Sequence, residues 1–110
     1  MEYKEELFSK LKKYKIGNNV FQYKSIPICS ISFQQVREII WRFACIDECS
    51  EEDGEFLISI KSGTARMNTV TAIIKYDSDN LHVAVCSKEG IFKQKSCEKA
   101  IGMIVDSFKG

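Results

Sequence analysis

Hydrophobic residues recur three and four positions apart in three segments of this chain, and this spacing places them on one face of an α-helix. The first segment covers residues 3–15, the second runs from Ser32 to about Asp47, and the third begins near Ser96. Ser32 and Gln35 have the S-x-x-Q spacing of a capping box, which is typical of a helix N-terminus. The pattern therefore predicts three amphipathic helices.

A different pattern, the alternation of polar and apolar residues, predicts strands in the rest of the chain. Residues 55–61, 67–76 and 81–87 alternate in this way and are separated by short turns, which favours antiparallel hairpins. Residues 19–30 have an extended pattern, and Pro27 interrupts it. We expect one or two short strands there.

The order of these elements is helix, one or two short strands, helix, three strands, helix, and it predicts an α+β fold. We expect a two-layer sandwich in which the amphipathic helices pack on an antiparallel meander sheet. The chain has no repeat or linker and has the length of one domain with one hydrophobic core, so we predict a single domain over residues 1–110. In topology, this order resembles that of profilin-like domains and of roadblock or longin-type domains.

The predicted sheet has a second face, and the sequence does not determine what covers it. If the helices pack on the face that carries Phe56, Val70 and Leu81, the opposite face carries small and semi-apolar residues with few charges. That composition is not typical of a solvated sheet, so we expect something to cover it. The candidates are the first helix of the same chain and another protein, including a second copy.

Composition and charge argue against several classes of protein. The formal net charge is +1, whereas general nucleic-acid binding needs an excess of lysine and arginine. No apolar run approaches the ~20 residues that a bilayer crossing needs, so no membrane partner is expected. The five cysteines are an odd number and the N-terminus lacks a secretory signal, which favours free thiols and a cytoplasmic location.

The segment WRFACIDECSEED, from Trp41 to Asp53, holds the best candidates for a binding surface. Trp41 falls on the polar side of the predicted second helix with Arg37 and Arg42, and tryptophan and arginine are enriched at interface hot spots. The acidic residues that follow would oppose the helix dipole, a cost that a basic partner would offset. The predicted interface residues are Trp41, Arg37, Arg42, Asp47, Glu48, Glu51, Glu52 and Asp53. In the alternative interpretation, the first helix or the segment VFQY covers Trp41 within the same chain.

Cys45 and Cys49 lie four residues apart and would share one face of the predicted second helix, which makes them candidates for reactive thiols. A catalytic thiol needs a base. His82 is the only histidine and therefore the only imidazole that could serve as this base, which is the weaker part of the reactive-thiol hypothesis. A structural zinc site needs four cysteine or histidine ligands, commonly paired as C-x2-C, and the sequence has no such set. No catalytic residue, metal or cofactor is therefore predicted.

The leading hypothesis is a non-catalytic protein-binding or regulatory module of the adaptor or inhibitor type. Its partner would be another protein or a second copy of itself, and the lack of an enzyme motif favours this role. The alternative is a thiol-dependent enzyme or redox sensor that uses Cys45 or Cys49. A weaker alternative is nucleic-acid binding through the lysine-rich end of the first helix. The residues concerned there are Lys10, Lys12, Lys13 and Lys15, with Tyr14 and Tyr23 as stacking groups.

Overall fold

The computed structural model describes residues 3–12, 19–28, 31–62, 68–77, 79–88 and 96–108, which form three helices and five strands. The helices are α1 (Lys4–Leu11), α2 (Phe33–Trp41) and α3 (Ser96–Ser107). The strands are β1 (Asn19–Pro27), β2 (Cys45–Ser50), β3 (Glu55–Ser62), β4 (Asn68–Tyr76) and β5 (Asn80–Lys88). None of the described helices has the length and apolar character that crossing a membrane requires.

All five strands pair antiparallel in one open sheet with the order β1-β5-β4-β3-β2, which confirms the predicted α+β class. Strands β2 to β5 are neighbours in the same order as in the chain, as short hairpin connections favour. Strand β1 instead pairs with β5, with Asn19 opposite Lys88 and Pro27 opposite Asn80. The first and last strands of the chain are therefore neighbours in the sheet. The two edge strands, β1 and β2, are the first two strands in the sequence.

The second helix is shorter than predicted, and this changes the interpretation of the segment after it. Helix α2 ends at Trp41, and Cys45–Ser50 forms strand β2 at one edge of the sheet. Phe43 and Ala44 continue the apolar spacing of a helix, but both of their amides donate to the carbonyl oxygen of Ile40 and close a turn. Pairing of β2 with β3 then provides the backbone hydrogen bonds that a longer helix would have made.

Buried hydrophobic side chains form two clusters, one on each face of the sheet, and not the single core that the length predicts. The larger cluster lies between the sheet and helices α2 and α3. In the smaller cluster, Leu7 and Leu11 of α1 pack against Ile73, Ala84 and Cys86 of β4 and β5. Alternate residues of a strand point to opposite faces, so α1 covers the second face over these two strands. Helices thus contact both faces, and the chain's own first helix covers part of the face that the sequence left open.

An ion-pair network also holds α1 against the sheet. The Nζ of Lys10 lies 2.7 Å from both carboxylate oxygens of Glu55 on β3, and the Nζ of Lys75 on β4 lies 3.3 Å from Glu55 Oε2. The side chain of Glu55 is only 16% exposed, so this network is partly shielded from water. The hydrogen bond to Glu55 raises the pKa of Lys10 above its ordinary value of 10.5, although burial acts in the opposite direction.

Replacing Leu7 by alanine tests the docking of α1. Leu7 is fully buried, and truncation of a buried leucine lowers the free energy of unfolding by about 2–5 kcal/mol. The matched control is Ser9→Ala on the exposed side of the same helix, which should change that free energy by no more than about 0.5 kcal/mol. Denaturant unfolding measures both variants. Equally small effects would show that α1 is not docked on the sheet.

The pair between Lys10 and Glu55 should contribute to stability only while Lys10 is charged. Folding raises the pKa of Lys10, so the contribution is complete below the unfolded value of 10.5 and is lost as the pH rises through the folded value. We expect Lys10→Met to be less stable than the wild type at neutral pH and the difference to shrink above pH 10.5. Unfolding titrations across this range measure the difference, and one that stays constant through it would be inconsistent with the pair.

Candidate functional site

Helix α2 has one buried face and one exposed face. The predicted capping box at its start is confirmed: the amide of Gln35 donates to Ser32 Oγ at 3.2 Å, and the amide of Ser32 donates to Gln35 Oε1 at 2.9 Å. Val36 and Ile40 are fully buried in the larger cluster. Because an α-helix turns by about 100° per residue, burial of these two positions directs the side that carries Trp41 toward solvent.

Trp41 is 69% exposed and is the only large hydrophobic side chain left exposed among the described residues. The interpretation in which the first helix or the VFQY segment covers Trp41 is therefore wrong. Helix α1 contacts β4 and β5 on the second face of the sheet. The VFQY segment belongs to β1, at the opposite edge of the sheet from β2, and α2 packs against β2.

Two shallow depressions meet at Trp41. The first has a volume of about 460 Å³. Its lining, which we call the Trp41 surface, consists of Gln34, Arg37, Glu38, Trp41 and Arg42. The second depression, of about 390 Å³, continues past the end of α2 to Lys61 of β3 and Met103 of α3. These last two residues were not predicted, because no local pattern indicates that distant parts of the chain lie beside Trp41.

The charges on the Trp41 surface are not neutralised within the described part of the chain. There, Arg37, Glu38 and Arg42 form no ion pair. The charged residues on the second face of the sheet differ, because they are paired: Lys10 and Lys75 both contact the carboxylate of Glu55. The ionic groups around Trp41 therefore remain available to a partner, whereas those under α1 already stabilise the fold.

The structure brings one of the predicted acidic residues to the Trp41 surface. Glu51 Oε1 accepts a hydrogen bond of 3.3 Å from Gln34 Nε2, which places this carboxylate at the N-terminal end of the surface. Glu52 is exposed in the same turn between β2 and β3. All the predicted acidic residues lie in β2 or in this turn, while α2 ends at Trp41. The predicted conflict between these residues and the dipole of the second helix is therefore wrong.

The remaining acidic residues have other neighbours. Asp47 accepts a hydrogen bond from the hydroxyl of Ser59 on β3. Glu48 and Asp53 line a separate depression of about 600 Å³ beside Lys10 of α1. Of the five predicted acidic residues, the structure thus brings only Glu51 into contact with the Trp41 surface, and it places Asp47, Glu48 and Asp53 beside other groups.

Cys45 and Cys49 are both exposed, but they do not share a face. A bulge within β2 shifts its register, so that Cys45 lies opposite Ser59 and Cys49 lies opposite Phe56. Residues directly opposite each other in an antiparallel pair share a face, whereas Ser59 and Phe56 are an odd number of positions apart and belong to different faces. The prediction that the two thiols share one helical face is therefore wrong.

His82 is too distant to act as a base for either of these thiols. It lies on β5, which is three strand spacings from β2, and spacings of about 4.8 Å amount to roughly 14 Å. His82 is 5% exposed, its Nδ1 lies 2.8 Å from the hydroxyl of Tyr23, and its ring contacts Tyr3 with centroids 4.7 Å apart. These contacts give His82 a packing role under α1. Within the described ranges, no three Asp, Glu, His or Cys side chains lie close enough together to hold a metal ion.

The nucleic-acid hypothesis depends in part on residues 13–15, which lie outside the described residues. Of the other lysines at this end of α1, Lys12 is exposed, but Lys10 is bound to Glu55. A phosphate contact by Lys10 would have to replace that ion pair. Tyr23, one of the predicted stacking groups, lies on β1 and contacts the buried His82. The described residues therefore offer this hypothesis little support.

Alkylation rates test the thiol-dependent alternative. We expect Cys45 and Cys49 to react at similar rates in the folded protein, because both are exposed and neither has an imidazole base within reach. Cys86 and Cys97 are buried and should react only after unfolding. Mass spectrometry after timed alkylation at neutral pH measures each site, with the denatured protein as the control. One thiol that reacts at least about tenfold faster than the other exposed thiol would favour the alternative.

No family model, no curated protein and no solved structure matches this chain. Any role assigned to the Trp41 surface therefore has to be argued from its own residues. Those residues are an exposed tryptophan, two arginines and a glutamate without ion-pair partners in the described part of the chain, and a neighbouring acidic turn.

Proposed function

We propose that this chain is a non-catalytic protein-binding module of the adaptor or inhibitor type and that the Trp41 surface is its contact site. The observation that carries the proposal is the 69% exposure of Trp41 on a helix whose opposite face is fully buried. Transfer of a large apolar side chain from water into a protein contact is favourable by about 1.5–3 kcal/mol. Binding of a partner would provide that transfer, which folding alone does not.

The groups around the indole indicate the chemistry of the contact. Arg37 and Arg42 can each donate two parallel hydrogen bonds to a carboxylate. Arg37 lies within α2 before Trp41, and Arg42 is the C-cap residue directly after it. Lys61 adds a third cation in the adjoining depression. A partner would therefore present an apolar pocket for the indole and carboxylates at its rim. The cytoplasmic location expected from the sequence belongs to the same proposal.

The proposal does not include a catalytic step. Among the described residues, Cys45 and Cys49 occupy different faces of β2, and His82 lies three strands away from them. The Trp41 surface itself contains arginine, glutamate, glutamine and tryptophan, and no nucleophile with an adjacent base. Binding is therefore the activity that this arrangement of side chains supports best.

Affinity capture with immobilised protein tests the proposal. We expect the wild type to retain a specific partner from its native lysate and Trp41→Ala and Arg37→Ala to lose it. Truncation of an interface hot spot lowers affinity by about 2 kcal/mol or more, which corresponds to roughly 30-fold. The matched control is Lys24→Ala, because Lys24 is exposed on β1 at the far edge of the sheet.

The control variant should retain the same partner as the wild type. Circular dichroism and denaturant unfolding establish that each variant is folded before capture. If the folded Trp41→Ala variant keeps every specific partner of the wild type, the Trp41 surface is not the contact site and the proposal is wrong.

A further inference from the structure

We infer that His82 and Asp77 form a binding site for a divalent transition-metal ion of the zinc type. His82 lies near the start of β5, and Asp77 lies in the turn between β4 and β5. The observation that carries the inference is a buried ring nitrogen, His82 Nε2, that has no hydrogen-bond partner among the described residues and faces a carboxylate. The inference uses no residue of the Trp41 surface and does not depend on the proposed function.

The imidazole of His82 is held in place through only one of its two nitrogens. His82 is 5% exposed and packs under the ring of Tyr3, with ring centroids 4.7 Å apart. Its Nδ1 lies 2.8 Å from the hydroxyl of Tyr23, whereas Nε2 is buried and forms no hydrogen bond with any described residue. A buried polar atom without a partner is unfavourable and is rare in folded proteins. A ligand of Nε2 would remove this cost.

Asp77 presents the second donor atom. Its Oδ2 lies 3.8 Å from His82 Nε2, which is too long for a hydrogen bond. The distance does fit an ion between the two atoms, because zinc binds histidine nitrogen at about 2.0–2.1 Å and carboxylate oxygen at about 2.0–2.2 Å. The two bonds would meet at the ion at roughly 130°, and an approach of about 0.4 Å would make that angle tetrahedral.

Both residues already have the outer hydrogen bonds that orient the ligands of metal sites. With its proton on Nδ1, the imidazole donates to the hydroxyl oxygen of Tyr23 and directs the lone pair of Nε2 toward the ion. The amide of Asp79 donates to Asp77 Oδ1 at 3.2 Å, which leaves Oδ2 on the side of His82. The two remaining donor atoms therefore face each other.

The surroundings of the two residues are compatible with a cation. Lys75 is opposite His82 in the register of β4 and β5, but its Nζ donates to the carboxylate of Glu55 and to the carbonyl oxygen of Asp53. The side chain of Asp77 is 36% exposed, so the site is open to solvent on the side of the turn.

The donor atoms determine which ions fit and how strongly they bind. An imidazole nitrogen favours zinc and other transition metals, whereas magnesium and calcium prefer sites made of oxygen ligands. Within the described ranges, no third Asp, Glu, His or Cys side chain completes the set, so water would fill the other positions. Binding should therefore be weaker than at a structural zinc site, which has four protein ligands.

A zinc titration followed by nitrogen NMR tests the inference. His82 is the only histidine, so the imidazole resonances report on this site alone. The purified full-length chain is freed of metal, and its exposed thiols are alkylated beforehand because thiolates also bind zinc. We expect zinc, added up to about 1 mM, to shift the Nε2 resonance and to fix the tautomer that carries its proton on Nδ1. Magnesium at the same concentration should leave both unchanged.

Three conservative variants locate the site. Asp77→Asn keeps the acceptor for the Asp79 amide but removes the anionic ligand, and it should weaken zinc binding by at least about tenfold. Tyr23→Phe removes the hydroxyl that orients Nδ1 and should also weaken binding by about tenfold or more. The matched control is Asp79→Asn, which changes an exposed carboxylate of the same turn, keeps the backbone amide and should bind zinc like the wild type.

Unfolding curves verify that the variants are folded, and they provide a second readout. Zinc should raise the free energy of unfolding of the wild type and of Asp79→Asn, because it binds the folded state, and should not raise that of Asp77→Asn.

Imidazole resonances that stay unchanged up to about 1 mM zinc would overturn the inference. Binding that Asp77→Asn leaves intact would do the same, because His82 would then bind the ion without the carboxylate. Equal loss in Asp79→Asn is the third contrary result, since the acidic turn would then attract zinc only by its charge. Loss in Asp77→Asn and in Tyr23→Phe with full binding by Asp79→Asn supports the site.

Discussion

Strand β5 is buried on both faces, and the rest of the structure depends on this constraint. Every residue from Leu81 to Val85 is buried, and Cys86 continues the series. A strand of this kind needs apolar cover on two sides, because alternate side chains point in opposite directions. Helices α2 and α3 contribute to the larger cluster on one side, and α1 covers β5 on the other. The apolar contact between α1 and the sheet is small. The ion pairs that Glu55 makes with Lys10 and Lys75 therefore add to the stabilisation that burial of Leu7 and Leu11 provides.

The position of α1 bears directly on the exposure of Trp41. A single short helix cannot cover both the second face of the sheet and the outer side of α2, and the structure places it on the sheet. The outer side of α2 consequently keeps an exposed indole and ionic groups that no other described residue pairs. At the same time, α2 stops at Trp41, and the chain turns into the edge strand β2. The acidic residues therefore lie in β2 and in the turn after it, not along the axis of α2. One of them, Glu51, accepts a hydrogen bond from Gln34 near the start of α2.

Local patterns in the sequence predicted local structure well. The capping box at Ser32 fixed the start of α2, and alternation located β3, β4 and β5, because both signals depend on residues that are neighbours in the chain. The end of α2 was missed because Phe43 and Ala44 extend the helical spacing, while pairing with the distant strand β3 decides the conformation of the residues after them. The pairing of β1 with β5 and the placement of α1 are likewise long-range, and no spacing within the chain encodes them. The helical wheel placed Trp41 on the polar side correctly, but only the position of α1 shows that nothing in the described chain covers it.

Helix α1 occupies the second face of the sheet and leaves Trp41 in solvent. Trp41 is the only tryptophan, so the fluorescence of the native protein reports on this side chain alone. The direct measurement is the emission spectrum and acrylamide quenching of the folded chain at a concentration well below that of any self-association. We expect the red-shifted emission of an indole in water and quenching close to that of free tryptophan. Blue-shifted emission that acrylamide barely quenches would contradict it, because it would show that the folded monomer already covers Trp41.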